Sequence, residues 1–152
     1  MNTFSSLDEL SKHVGEVLGV SDWITIEQGR IDTFAEATED RQWIHVDPDR
    51  AAQGPFGSTI AHGYLTLSLL AHFSWDQFQL EGAKMAVNYG LNKVRFPSPV
   101  PVGSRLRATG RLDSIRELPE GWVELTVTQT VEIEGAPKPA CVAETVSRVL
   151  WS

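Results

Sequence analysis

The sequence predicts an α+β protein in which a curved antiparallel sheet wraps around one long central helix. Helical patterns occupy the first half of the chain, and alternating, strand-like patterns occupy the second half. Strands grouped after helices favour an antiparallel sheet over the parallel sheet of α/β proteins. The 152 residues are predicted to form a single domain over residues 1–152, which is long enough to bury a hydrophobic core.

The helical half is predicted to contain three short or medium helices before the central one. Apolar residues at helical spacing predict a short helix over residues 6–14. Thr25 and Gln28 have the spacing of a capping box, which predicts a helix from Thr25 to about Thr38. The dipeptide Asp47-Pro48 is typical of an N-cap followed by a first-turn proline, and it predicts another short helix.

Residues 63–78, GYLTLSLLAHFSWDQF, are predicted to form the central helix. Apolar residues cover more than one face of this segment, which is typical of a buried helix. A sheet with one apolar face must cover that face, and no other helical segment is apolar enough to do so. We therefore expect the sheet to curve around this helix.

The second half is predicted to form long antiparallel strands joined by tight turns. Gly90 indicates a bulge or a close backbone approach in the first of these strands. In the second strand, alternation puts apolar side chains on one face and three arginines on the other, which we interpret as the solvent-facing side. The predicted strands cover residues 84–96, 104–113, 122–133 and 140–151.

Composition and charge exclude several classes of function. The formal net charge of −7, with no cluster of Lys or Arg to offset it, argues against a nucleic-acid partner. No apolar run approaches the ~20 residues of a membrane helix, and no signal peptide is recognised, so we expect a cytoplasmic protein without a membrane partner. Cys141 is the single cysteine, which excludes an intrachain disulfide and a Cys-based zinc site and predicts a small core residue.

The segment from Asp40 to Gly63 concentrates the residues that could carry chemistry. Asp40 and His45 could form an acid–base pair, or they could be an N-cap and a surface imidazole. The apolar Trp43 and Ile44 between them suggest a packed loop, which favours the acid–base interpretation. A carboxylate and an imidazole in an apolar wall can share a water and exchange protons with a substrate near neutral pH.

His62 and Gly63 open the central helix and suggest a second kind of chemistry. A glycine in the first helical turn exposes a backbone N–H that can polarise a carbonyl or stabilise an enolate oxygen. Alternatively, Gly63 only permits a sharp junction between loop and helix. Ser58 and Thr59, just upstream, could orient the acid or simply cap the turn.

Three sequence stretches together resemble the MaoC-like family of (R)-specific enoyl-CoA hydratases: IHVDPDRA, GSTIAHG and VRFPSPVPVGSRLRA. The similarity extends over about residues 20–150. It implies a hot-dog fold, usually found as a homodimer with thioester sites near the subunit interface. It also implies an acyl-CoA thioester substrate and chemistry that needs neither a metal nor a redox cofactor.

The resemblance implies site residues as well. The catalytic Asp and His of the family match Asp40 and His45, and the glycine whose N–H holds the thioester carbonyl matches Gly63. A second group is expected on the substrate side, although Asn88 could equally be structural: Gln42, Ser58, His62 and Asn88.

The chain departs from the family pattern directly before the catalytic histidine. Where many members have Asn-Pro, this sequence has Gln42-Trp43. Gln42 keeps the hydrogen-bonding capacity of Asn, whereas Trp43 lacks the fixed backbone of proline. The arginines of the second strand could also meet CoA phosphates.

The expected reaction is the reversible addition of water to a trans-2-enoyl-CoA, giving an (R)-3-hydroxyacyl-CoA. Two alternatives remain open at this point. An acyl-CoA thioesterase is possible because the same fold hosts such enzymes, and fold alone does not decide function. A non-catalytic acyl-thioester-binding subunit is the other, although such a subunit would be expected to have a damaged Asp/His pair.

Overall fold

A computed structural model describes residues 1–151, so Ser152 of the predicted domain lies outside the described residues. The helices and strands alternate irregularly in the first half of the chain, and the four long strands follow. In chain order the elements are β1 (Asn2–Phe4), α1 (Leu7–Ser11), β2 (Val17–Val20), β3 (Ile24–Thr25), α2 (Gln28–Thr38), α3 (Trp43–Val46), α4 (Pro48–Ala52), α5 (Gly63–Ser68), α6 (Leu70–Gln77), β4 (Phe78–Leu80), β5 (Ala83–Arg95), β6 (Arg105–Glu117), β7 (Trp122–Ile133) and β8 (Cys141–Trp151).

The main sheet is antiparallel, in the order β2-β6-β7-β8-β5, with β3 also paired to β6. The four long strands are confirmed, and the predicted irregularity at Gly90 is a register shift between Asn88 and Gly90. The short strands β1 to β4 were not predicted. Two of them, β1 and β4, pair in parallel as a separate ribbon.

The central helix is confirmed over the predicted span, but it is interrupted at Leu69. Main-chain hydrogen bonds continue across the interruption, from Leu69 N–H to Leu65 O and from Phe73 N–H to Leu69 O. The prediction that its surface is buried nearly all round is wrong: Tyr64 is 70% and Trp75 77% exposed. One face of α5 and α6 packs on the sheet, and solvent reaches the other.

The prediction of a capping box at the start of α2 is also wrong. The helix begins at Gln28 with Glu27 as its N-cap, whereas Thr25 pairs with Arg105 in the sheet. The side chain of Gln28 is used for tertiary contacts described below. By contrast, the helix predicted from Asp47-Pro48 is confirmed as α4, and Asp47 accepts a hydrogen bond from the N–H of Arg50.

Helix α6 approaches the sheet closely at its C-terminal end. Gln77 is fully buried, and its side chain donates to Ala108 O at 3.0 Å and exchanges two 2.8 Å hydrogen bonds with the amide of Gln129. Gly19 of β2 and Gly110 of β6 provide the space for this contact. A Cβ on Gly19 would lie 2.0 Å from the main-chain oxygen of Gln77, and one on Gly110 would lie 2.5 Å from its Oε1.

The three arginines of β6 singled out from the sequence lie on the polar side of the sheet, as predicted, and each is paired with a carboxylate. The pairs are Arg105–Glu134, Arg107–Glu132 and Arg111–Asp113. Cys141 is buried in the core, and burial raises the pKa of its thiol to about 11, which confirms its assignment as a core residue. Among the described residues, the helices are all too short or too polar to span a bilayer.

Candidate active site

Asp40 lies in a turn that follows α2. The helix ends at Glu39, whose φ of 63° puts it in the left-handed region, and this reverses the chain direction immediately before Asp40. The Asp40 side chain is exposed to solvent. The turn therefore presents a free carboxylate at the surface of the fold.

His45 lies in the short helix α3 and is 7% exposed. Its Nδ1–H donates to the main-chain oxygen of Ile60 at 2.7 Å. A carbonyl can only accept, so in the neutral ring this contact places the proton on Nδ1 and the lone pair on Nε2. A second link, from Ile60 N–H to Ile44 O at 3.0 Å, ties the two segments together. The imidazole is thereby held in the tautomer whose Nε2 can accept a proton.

His62 packs directly against this ring. The two imidazoles are stacked, with centroids 3.9 Å apart and planes inclined by 23°. Phe34 of α2 contacts His62 with a centroid distance of 5.0 Å. The Nε2–H of His62 donates to the main-chain oxygen of Asp40 at 2.9 Å, so this one ring contacts both members of the predicted pair.

Asp40, His45 and His62 form a compact cluster. A carboxylate oxygen of Asp40 and one ring nitrogen from each histidine all lie within 4.8 Å of one another. A water with hydrogen bonds of about 2.8 Å spans a separation of this size. The cluster can therefore hold a water between a carboxylate and an imidazole base.

The same three groups could in principle ligate a metal ion, since His nitrogens and a carboxylate suit Zn²⁺. However, Nδ1 of His45 and Nε2 of His62 already donate to main-chain oxygens. An ion would need the other nitrogen of each ring, and Nδ1 of His62 is buried from solvent. The geometry accommodates a bridging water as well as an ion, since a metal-bound histidine also donates its second ring N–H to a carbonyl.

Burial is the main influence on the protonation of His45. It lowers the pKa of the imidazole below its usual 6.5, and the neighbouring His62 lowers the pKa further. The hydrogen bond to Ile60 and the charge of Asp40 act in the opposite direction. Because the net shift is downward, His45 is neutral at pH 7 and available to accept a proton.

This shift predicts a pH dependence of stability. Because the folded-state pKa is lowered, the stability associated with neutral His45 is present above pH 6.5 and is lost as the pH falls toward the folded-state pKa. We expect wild type to lose more unfolding free energy than His45→Asn between about pH 7.5 and about pH 5.5 in urea titrations. Equal losses in the two proteins would contradict the assignment.

Gln28 supports this site, although the sequence suggested a different role for it. Its side-chain N–H groups donate to the main-chain oxygen of His45 at 2.7 Å and to Asp32 at 2.9 Å, and its Oε1 accepts from the hydroxyl of Thr59 at 2.5 Å. The Gln28 amide thus joins α2, α3 and the segment before α5. Only tertiary contacts assign this role, so the spacing of residues could not have revealed it.

Three other predicted site residues, Gly63, Ser58 and Asn88, lie outside this cluster. Gly63 is the first residue of α5, directly after His62, and a Cβ there would be 3.3 Å from the ring of Phe96. The Ser58 hydroxyl donates to Thr59 O at 3.0 Å. Asn88 lies on the edge strand β5, opposite Ser147 in the register.

Gln42 and Trp43, which depart from the family pattern, lie at the start of α3. Gln42 is the exposed N-cap of α3 and makes no capping hydrogen bond. The Trp43 ring packs on Gly54, where an added Cβ would lie 3.0 Å away, and the guanidinium of Arg50 lies 4.3 Å from the ring centroid. Packing of the indole therefore takes the place of the ring constraint of a proline.

A cleft of about 690 Å³ lies between α2, α5 and β5. It is mostly apolar, opens to solvent, and shares Phe96 with the surroundings of Gly63. The residues that line it are Phe34, Thr38, Tyr64, Leu67, Ser68, Leu91, Val94 and Phe96. An apolar chain entering this cleft would have one end close to the start of α5.

The antiparallel sheet and the central helix that packs on it define a hot-dog fold. The MaoC like domain family matches residues 9–133, and the chain belongs to that family. Among solved structures, a MaoC-like dehydratase from Rhodospirillum rubrum superposes with a TM-score of 0.75 at 19% identity, covering 91% of this chain and 93% of that one. An (R)-hydratase from A. caviae involved in PHA biosynthesis gives 0.71 at 26% identity, covering 87% and 95%.

Two curated relatives are more similar in sequence. The 3-hydroxyacyl-thioester dehydratase Z of Mycobacterium tuberculosis is 57% identical over 148 residues, which covers 97% of this chain and 98% of that protein. Nodulation protein N of Rhizobium leguminosarum bv. viciae is 44% identical over 144 residues, covering 93% and 89%. The family and the 3-hydroxyacyl-thioester dehydratase identify the chain as an enzyme of the hydro-lyase class.

Proposed function

We propose that this protein is an (R)-specific enoyl-CoA hydratase, which interconverts trans-2-enoyl-CoA and (R)-3-hydroxyacyl-CoA with Asp40 and His45 as the acid–base pair. The observation that carries the proposal is the cluster of a free carboxylate and a neutral imidazole next to the first turn of α5. Similarity to a 3-hydroxyacyl-thioester dehydratase and to an (R)-hydratase supports the general reaction, and the (R) stereochemistry is part of the proposal. The cytoplasmic location expected from the sequence stays part of this proposal.

In the hydration direction, Asp40 and His45 hold a water and remove one of its protons as its oxygen bonds to C3 of the enoyl thioester. The C2–C3 double bond electrons move toward C1, and the carbonyl oxygen gains negative charge. The pair then delivers a proton to C2, so one water is consumed and no proton is left over. Because the two groups are close and share a water, we assign the base to the pair rather than to one member.

Gly63 is proposed to receive the thioester carbonyl. Its backbone N–H belongs to the first turn of α5, where main-chain N–H groups lack intrahelical partners. A donor aimed at the developing enolate oxygen stabilises the transition state more than the ground state. The absence of a side chain lets the ring of Phe96 pack close to Gly63, where an added Cβ would lie 3.3 Å from the ring.

The acyl chain is proposed to occupy the apolar cleft between α2, α5 and β5. Leu67, Leu91 and Val94 supply aliphatic surface there. Burial of each methylene contributes about 0.8 kcal/mol, so a cleft of this kind favours an acyl chain over a small acid. Gln42, Ser58 and Asn88 are kept as proposed substrate-side residues, whereas His62 is only 2% exposed and is given a different role. The proposed chemistry requires no metal or redox cofactor, because proton transfer and one hydrogen-bond donor suffice.

The protein is further proposed to be a homodimer that joins through β5. This strand is the edge of the main sheet, and it exposes large apolar side chains, including Met85, Val87 and Tyr89. A long, apolar, unpaired edge normally needs a covering partner. A second copy would cover it and would also close the side of the cleft that β5 forms.

The dimer can be tested by charge insertion on β5. We expect wild type to sediment at twice the chain mass of 16.8 kDa and Val87→Lys to shift toward one chain mass. The matched control is Val17→Lys, a similarly exposed valine on the opposite edge of the sheet. A monomeric wild type, or a Val87→Lys protein that stays dimeric, would contradict the use of β5.

The reaction itself is tested by following the enoyl-thioester absorbance of crotonyl-CoA and of a longer enoyl-CoA, with chiral analysis of the product. Loss of the band with formation of (R)-3-hydroxyacyl-CoA is expected, and the rate should be unchanged after dialysis against EDTA. Formation of the (S) product would contradict the stereochemistry. Release of free thiol with an unchanged band would instead assign thioester hydrolysis, and saturable binding without turnover would assign a non-catalytic subunit.

A further inference from the structure

The side chain of His62 contacts both Asp40 and His45. Its ring stacks on His45 at 3.9 Å, and its Nε2–H donates to the main-chain oxygen of Asp40 at 2.9 Å. With 2% of its surface exposed, the ring offers almost no area to a substrate. We propose that His62 is a positioning residue that keeps the Asp40 carboxylate and the His45 imidazole in a fixed position relative to each other. This inference rests on the proposed function of the pair.

One of the two groups that His62 contacts is Asp40. Its carboxylate is exposed, and the preceding Glu39 has a positive φ that side-chain-bearing residues adopt only sparsely. The main chain of Asp40 accepts the 2.9 Å bond from His62 and makes a longer hydrogen bond from its N–H to the hydroxyl of Thr38, at 3.4 Å. The following residue, Arg41, is tied to Glu36 of α2, and the bond from His62 is the tether that acts on Asp40 itself, the residue that carries the acid.

The other group that His62 contacts is the imidazole of His45. The bond from Nδ1–H to Ile60 O fixes one edge of its imidazole, but a single hydrogen bond still permits the ring to tilt. Stacking of His62 on the ring face removes this freedom. His62 is itself backed by Phe34, whose ring lies 5.0 Å away, so the stack rests on α2. Both groups of the pair are thus held by contacts with one buried ring.

The two ring nitrogens of His62 explain why histidine occupies this position. Nδ1 of His62 is buried and makes no hydrogen bond within residues 1–151. A role in packing alone would be filled better by phenylalanine, which leaves no buried nitrogen without a partner. The donor at Nε2 is the property that phenylalanine cannot supply, and it is directed at Asp40.

The proposal requires opposite tautomers in the two stacked rings. His62 must carry its proton on Nε2 to donate to Asp40, whereas His45 must carry its proton on Nδ1 to donate to Ile60. Nitrogen NMR of histidine-labelled protein distinguishes these forms and needs no catalytic activity. A His62 ring protonated only on Nδ1 would overturn the proposal, even if the enzyme proved to be a hydratase.

Kinetic variants separate positioning from packing. His62→Phe keeps an aromatic ring but removes the donor, whereas His62→Gln places an amide N–H near the original Nε2. Since a misplacement of about 1 Å can cost 10²-fold in rate, we expect His62→Phe to lower kcat by roughly 10–100-fold while KM changes by less than about threefold. His62→Gln should recover about tenfold of that loss. The matched control is His72→Phe, an exposed histidine on α6, which should keep the wild-type kcat.

A double-mutant cycle with Asp40→Asn completes the test. If His62 positions both groups, His62→Phe should lower single-turnover rates by a smaller factor once the Asp40 carboxylate is removed, because only the positioning of His45 is then left to lose. An equal fractional loss in both backgrounds would overturn the proposal and assign a general structural role. If His62→Phe does not fold, His62→Gln and the tautomer measurement decide. An enzyme with no hydratase activity in any form would refute the proposed function, while the tautomers would still report on the tether.

Discussion

Asp40→Asn and His45→Asn are each expected to lower kcat/KM for enoyl-CoA hydration by roughly 10²–10⁴-fold, the usual contribution of a positioned general acid or base. Asp40→Asn removes the charge from an exposed side chain, so the fold has no reason to change. In His45→Asn, the amide N–H can still donate to Ile60 O, but nothing replaces the Nε2 lone pair. Each variant thus removes the chemistry while leaving a hydrogen-bonding side chain in place.

The matched control for Asp40→Asn is Asp49→Asn, which neutralises another exposed carboxylate of the same segment, on α4. Its rate should stay within about twofold of wild type. Because Asp40 and His45 act on one water, the double variant should be little slower than the slower single variant. Folded single variants with wild-type rates would end the assignment of the pair.

Gly19→Ala is expected to destabilise the fold by about 3 kcal/mol or more, the upper part of the range for overpacked cores. The new Cβ would lie 2.0 Å from the main-chain oxygen of Gln77, and a main-chain atom cannot rotate away as a side chain can. The end of α6 would have to move from β2, and this movement would stretch the buried amide pair of Gln77 and Gln129. The loss corresponds to roughly 6–12 °C in Tm for a domain of this size.

The control for this change is Gly29→Ala, on α2. A Cβ at Gly29 would meet no heavy atom within 4 Å, and alanine is the better helix former. Gly29→Ala should therefore leave Tm unchanged or raise it slightly. Thermal unfolding of the two alanine variants makes the comparison, and a Gly19→Ala protein as stable as wild type would show that α6 and β2 are farther apart than described.

The sequence was sufficient for features that depend on local patterns. Alternation identified the four long strands, and the bounds of β7 match the predicted residues 122–133. Hydrophobic spacing located the central helix, but it did not reveal that Tyr64 and Trp75 face solvent. An aromatic side chain contributes to an apolar pattern whether it lies in the core or at the surface, so exposure could not be inferred from residue type.

Features that depend on distant contacts could not be predicted. Asp40 and His45 are close in sequence, and their proximity was a reasonable expectation. The bond from His62 to Asp40 spans 22 residues, and the contact between β1 and β4 joins opposite parts of the helical half. Gln28 illustrates the same limit, because tertiary partners for its amide replaced the local cap that its spacing suggested.

The groups proposed to carry the chemistry lie between Asp40 and Gly63, whereas the four long strands come later in the chain. Selection on turnover and selection on folding therefore act on largely separate stretches of the gene. Drift in β6, β7 and β8 can alter expression and lifetime without changing the reaction, whereas β5 also lines the cleft. A few substitutions in the earlier stretch could silence the reaction and leave an intact acyl-binding scaffold, a direct route from an ancestral enzyme to a non-catalytic paralogue.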